Sequence, residues 1–263
     1  MKFRRFCIKH TTAATLIPAL AVWAILTAVT LGLGIDPSYN GLVAIIVLLL
    51  SSFGLKKYLQ SYMKRAERSL YDDCDPYPTL NEINLYYECL KQNRRTAGLV
   101  VTRGMTQSLV GDYEGAEKTF TSLRVDDSSH LPDITKAGIC YDLAALYSAM
   151  NLPRHAIEYY DRAKEHFLSS PDHLRDKMTF SGTTDALVEC YKGNGERAIE
   201  ILDGIEPSNR FQKVTKKFAF AKVHYILGER ERAIGEFRWV AENGGKLACA
   251  GESAVIADAA DNK

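Results

Sequence analysis

Two uncharged runs dominate the start of the chain. Thr11 to Gly34 carries no charged residue, nor does Gly41 to Leu55, and Ile35-Asp36-Pro37-Ser38-Tyr39-Asn40 lies between them. As a helix the first run is about 35 Å long, enough for a hydrocarbon core of about 30 Å. The second is 15 residues by the strictest count. It reaches membrane length if Pro37–Asn40 contribute and Lys56 and Lys57 extend their amines to the interface. Pro18 should bend the first helix or sit near its start, and Tyr39 and Tyr58 suit the interfaces. The pattern predicts a two-helix transmembrane hairpin over 11–55 behind a basic N-terminus, 1–10. A secretory signal peptide fits less well, because the apolar stretch is long, no clean A-x-A site precedes a polar domain, and a second apolar segment follows. Two buried helices in a soluble protein would need an apolar partner surface that the amphipathic remainder does not offer.

From residue 56 onward the apolar positions follow helical spacing. Lys56–Asp73 contains no Gly or Pro, so the second span is expected to run on into the first helix of the remainder. Asp72-Asp73-Cys74-Asp75-Pro76 reads as a break and restart with an acidic cap ahead of proline. In Cys140–Ala163, Leu143, Ala144 and Tyr147 share one face before Asn151-Leu152-Pro153, and Ala156, Tyr160 and Ala163 share one after it. This predicts two antiparallel helices joined by a tight turn, each apolar toward the other.

One such pair cannot bury its own stripe, and the sequence supplies neighbours. Gly111–Phe120, Asn151–Tyr160, Gly193–Leu202 and Gly228–Phe237 each begin with Gly or Asn. Each places Ala five residues later and a large apolar residue four beyond that. The alanines Ala116, Ala156, Ala198 and Ala233 are 40, 42 and 35 residues apart, and a small residue stands seven before each turn: Gly104, Ala144, Ala186 and Ala221. A degenerate fifth unit, Cys74–Ile83, has Thr79 in the alanine position. Val125–Pro132 and Ser169–Asp172 mark unit boundaries, and Ala241–Gly245 is a helix stop. The repeats occupy 56–245. Residues 246–263 form a terminal capping helix and tail, with Leu247, Ala250, Ala254 and Val255 expected to cover the last face.

This pattern resembles the tetratricopeptide repeat (TPR), over roughly residues 60 to 256. Arg103 and Asp185 stand where that family usually has leucine, and Gln107, Glu189 and His224 where it has an aromatic. Its unit-ending proline is displaced to Pro132, Pro171 and Pro207. Spacings of 40 and 42 exceed the family's 34 and call for longer helices or loops in the middle units. The resemblance implies an all-α fold, an α-solenoid of about four to five TPR-like helix pairs behind the hairpin. It also implies a concave face lined by the first helix of each pair. Its lining residues would be Val101, Met105 and Ser108; Tyr141, Ala145 and Ser148; Thr183, Leu187 and Cys190; and Phe218, Lys222 and Tyr225. Only one of these is charged, so the groove is expected to take an apolar or aromatic segment, such as a helix. The alternative is that several belong to the inter-helix core and the ligand face lies elsewhere.

Composition changes little in this picture. The 263 residues are 46% apolar and 25% charged, with net charge +1, which gives no electrostatic case for nucleic acid. The charges are placed informatively, however. Lys2, Arg4, Arg5 and Lys9 precede the first span, Lys56, Lys57, Lys64, Arg65 and Arg68 follow the second, and the loop has only Asp36. The expected topology is therefore two-pass, with both termini and the repeats cytoplasmic. Six scattered cysteines without a C-x-x-C suit core positions in a reducing compartment. No phosphate loop, dinucleotide fingerprint, nucleophile elbow or metal-ligand spacing occurs, and His166 and His173 stand seven apart across Ser169-Ser170-Pro171. No catalytic residue, cofactor, metal or small-molecule substrate is evident, and no enzymatic activity is expected. The reading is a membrane-anchored, non-catalytic interaction scaffold that presents a cytoplasmic groove to a protein or peptide. The alternative is an accessory subunit of a multi-component membrane complex (transport, secretion or envelope machinery). Its hairpin would pack through small residues such as Ala13, Ala19, Gly32 and Ala44. An enzyme or sensor would instead show a deep polar pocket with clustered titratable groups.

Overall fold

A computed structural model describes residues 2–33, 38–91, 96–129, 131–175 and 182–261, and among them there are fourteen helices and no strand. Ile35, Asp36, Pro37, the Tyr39 side chain and His130 lie outside the described residues. The chain divides into two units, Met1–Ala66 with Asn84–Arg95, and Glu67–Ile83 with Thr96–Lys263.

The first unit contains α1 (Lys2–Lys9), α2 (Thr11–Gly32) and most of α3 (Ser38–Asp73). Thr11–Gly32 and Leu42–Asp73 are each long and apolar enough to cross a membrane, their 18-residue apolar windows having mean hydropathies of 2.1 and 1.9. Leu20, Ile25, Leu49 and Leu50 are exposed, so these helices carry their apolar side chains outward. Pro18 lies within α2 rather than at its start. Asn40 donates to Thr30 Oγ1 at 2.8 Å, which gives a polar side chain of the hairpin a partner. The basic N-terminus is itself helical. Ile8 packs with Leu85 and Cys89, Arg5 bonds Glu88 at 3.2 Å, and the Arg4 guanidinium stands 4.3 Å from the Tyr62 ring centre.

The predicted break is present. Helix α3 runs unbroken to Asp73, Cys74 takes φ +54°, and the Asp75 carboxylate accepts the Tyr77 N–H at 3.1 Å as α4 (Tyr77–Cys89) begins.

The second unit continues with α5 (Ala97–Leu109), α6 (Tyr113–Thr121), α7 (Asp133–Ala149), α8 (Pro153–Ser169) and the short α9 (Asp172–Arg175). It is completed by α10 (Thr183–Tyr191), α11 (Gly195–Asp203), α12 (Arg210–Ile226), α13 (Arg230–Asn243) and α14 (Ala248–Asp261). Helices α5 and α6, α7 and α8, α10 and α11, and α12 and α13 pack as consecutive pairs. Their four turns are built alike. Gly111, Asn151, Gly193 and Gly228 have φ of +85°, +56°, +90° and +82°. The N–H groups of Asp112, Leu152, Asn194 and Glu229 reach back to the carbonyls of Gln107, Tyr147, Glu189 and His224, each at 2.9 Å. That pairing satisfies carbonyls the ending helix would leave orphaned, and it needs a left-handed residue.

The spaced small residues do equivalent work in every pair. Ala116, Ala156, Ala198 and Ala233 are fully buried, as are Ala144, Ala186 and Ala221. At Gly104 a Cβ would fall 2.8 Å from the Phe120 ring, so this pair approaches too closely even for alanine. The long middle spacing is partly explained by α7 and α8, each 17 residues.

The departures from the expected pattern have local reasons. Gln107 accepts from Thr119 at 2.7 Å and donates to Asp112 at 2.8 Å; Glu189 bonds Asn194 at 2.8 Å and His224 bonds Glu236 at 2.7 Å. Where an aromatic ring would fill space, these side chains tie the first helix to the turn or the second helix. Buried Asp185, in a leucine position, accepts from Tyr141, Tyr160 and the Gly182 N–H at 2.5, 2.6 and 2.8 Å. Near the fifth proposed unit, Thr79 is buried, while Leu70 and Cys74 pack with Val214, Val240 and Leu247.

Candidate binding groove

Helices α5, α7, α10 and α12 bring most of the sequence-nominated residues together. Met105, Ala145, Ser148, Thr183, Leu187, Phe218 and Lys222 border one cavity of about 210 Å³, with Ser108 and the apolar Leu109, Phe211 and Leu247. Lys222 and Tyr225 border a second of about 530 Å³, together with Cys190, Tyr191 and Phe237. Lys222 stands at the wall they share. Val101 and Tyr141 border neither cavity. Val101 packs against the core between the first two pairs, and the Tyr141 hydroxyl reaches across to Asp185 on α10.

Sequence reasoning missed the role of α14. Leu247, Ala250, Ser253 and Ala257 are buried, and α14 packs along α13. Val255, expected to cover the last face, is 70% exposed, so the helix is rotated from the orientation its apolar residues suggested. Its other side turns toward the groove. Leu247, Ala248 and Cys249 close the first cavity, where side chains from α5, α7, α10 and α12 also converge, and Glu252 and Ile256 border the second. Glu252 Oε1 accepts from Asn151 Nδ2 at 3.4 Å, and Ala248 Cβ lies 3.4 Å from where a Cβ at Gly111 would be. The signal was the run of small residues in Ala248-Cys249-Ala250-Gly251, which permits this close approach but equally suits a plain cap.

Burial drives the titratable groups here toward their neutral forms. The Asp142 carboxyl on the first cavity's wall is pushed up to about 7 by desolvation. The Cys249 thiol is pushed up to about 12, chiefly by burial with Glu252 adding, so it stays protonated and unreactive at neutral pH. Lys222 is lowered by burial, with Glu252 opposing. Such a site suits non-covalent binding of apolar groups with a few fixed polar contacts.

No known family, curated protein or solved structure matches the chain.

Proposed function

We propose that the chain is a membrane-anchored, non-catalytic interaction scaffold whose TPR-like helix pairs present a cytoplasmic groove to an apolar or aromatic helical segment of a partner protein. The observation that carries this reading is the convergence of eight nominated first-helix residues on one cavity wall. It is supported by four turns of like geometry and four buried alanines at the repeat positions, as a TPR-like array requires. The two apolar helices supply the anchor, and the basic residues flanking them argue for a cytoplasmic array. Because α14 lies against the groove, an entering segment would contact or displace it.

Met105 and Tyr225, 47% and 51% exposed, offer a test that spares the core. Changing both to Asp should leave helix content intact and abolish crosslinking of the protein to its partner in native membranes. Crosslinking at the unmodified level would place the partner's surface elsewhere. A second reading, an accessory subunit assembled through the hairpin, is favoured by the outward apolar side chains of α2 and α3. In that case one stoichiometric partner survives mild-detergent purification even with both Asp substitutions present.

A further inference from the structure

Lys222 presents a problem of charge. Its side chain is buried, with the residue 6% exposed, and the ammonium donates a hydrogen bond to the Ser148 carbonyl at 2.7 Å. It stands 5.4 Å from the Phe218 ring centre. No carboxylate among the described residues forms an ion pair with it, although Glu252 acts on it from farther away. Buried ammonium groups are normally paired, because desolvation costs more than one neutral acceptor returns.

A second unmet polar group lies on the same wall. Ser148 is 1% exposed and its Oγ has no partner. Ser148, Phe218 and Lys222 all border the cavity of about 210 Å³, whose wall is otherwise mainly apolar, Met105, Leu187 and Leu247 included, with Asp142 and threonines at its edge. For scale, an apolar cavity of about 150 Å³ holds benzene. This one has room for a ring and a short arm.

We propose that this cavity is a binding site for a small amphipathic monocarboxylate. Its apolar body lies among Met105, Leu187 and Phe218, its carboxylate accepts from Lys222 Nζ, and Ser148 Oγ is positioned to donate a second hydrogen bond. The site lies within the groove proposed above, but acid binding is a separate claim that holds whether or not a protein segment also docks there. One ammonium calls for one negative charge, and Asp142 on the same cavity's border weakens the binding of any anion when ionised. The walls come from α5, α7, α10, α12 and the start of α14, so a bound acid would touch every helix pair through one side chain or another.

The test uses the full chain in lipid nanodiscs, with empty nanodiscs as blank, and titration calorimetry with 3-phenylpropanoate and 3-phenylpropan-1-ol. The two probes differ in the charged head and share ring and arm. The acid should bind saturably at one site, and the alcohol at least tenfold more weakly, the scale of a hydrogen bond to a charged group. Lys222→Met should bring the acid down to the alcohol's affinity, and Asp142→Asn should tighten the acid. No saturable binding of the acid to the unmodified protein overturns the proposal. So does equal binding of acid and alcohol, a comparison that needs no variant and stands even if Lys222→Met fails to fold.

Discussion

At the scale of single residues, a close contact between Gly104 and Phe120 constrains the first helix pair. A methyl group at 104 would meet the ring at 2.8 Å. Gly104→Ala should therefore destabilise the protein by about 1–3 kcal/mol in denaturant titration, although alanine is the better helix former. Asp185 makes a complementary case. Asp185→Leu, the residue the repeat resemblance would supply, removes the carboxylate to which Tyr141 and Tyr160 donate, and should cost about 3 kcal/mol. Adding Tyr141→Phe and Tyr160→Phe should recover part of that loss, and a double-mutant cycle measures how much. Asp142 gives a pH signature. Its folded-state pKa, about 7, lies above the ordinary carboxylate value, so the folded state holds the proton more tightly than the unfolded chain. Its contribution therefore falls as pH rises from about 4 to about 7 and is level beyond that. Asp142→Asn should gain little stability near pH 4 and its full amount above pH 7. These pairings could not be read from the chain. Gln107, Glu189, His224 and Asp185 looked like flaws in a pattern because their partners are known only once neighbouring helices are in place.

At the scale of elements, the helix pairs and the presence of α14 were legible, and the side of α14 that meets the groove was not. The turn residues and alanines declare themselves because a left-handed turn and a close helix crossing admit few residue types. The Ala-rich terminal stretch has no such restriction, and its low contrast between faces hid which side is buried. Eight of the twelve nominated groove residues meet at one cavity, and Cys190 and Tyr225 border the second. Val101 and Tyr141 miss because one position along a helix turns a side chain by about 100°, and a long tyrosine reaches whatever acceptor lies nearest. Ser253 tests the packing of α14 directly. It is fully buried and its Oγ has no partner, so Ser253→Ala should leave thermal stability unchanged or raise it. Ala250→Arg places a charge in the α13–α14 seam. In hydrogen exchange it should speed the amides of 248–261 and leave those of α5 to α8 unchanged.

At the scale of the whole molecule, Thr11–Gly32 and Leu42–Asp73 are long and apolar enough to cross a bilayer, and the proposed topology rests on the charges that flank them. The first 55 residues hold four basic and one acidic residue, leaving the remainder, with 29 basic and 31 acidic, close to neutral. Two results are expected. The protein should stay with the membrane through alkaline carbonate extraction, and protease added outside intact cells should leave the fragment from Glu67 onward whole. Digestion of that fragment from outside would reverse the topology. The span lengths and charge bias were plain in the sequence. The extent of α3 was also readable, because nothing between Lys56 and Asp73 can break a helix.

The position of α14 bears on how the protein is handled. A fluorescent fusion or affinity handle appended after Asp261 hangs from the helix that lines the groove, whereas one placed before Met1 leaves that helix alone. Reporter chemistry at the two ends should thus give different readouts for one binding event, and that difference is itself an assay for engagement of the array.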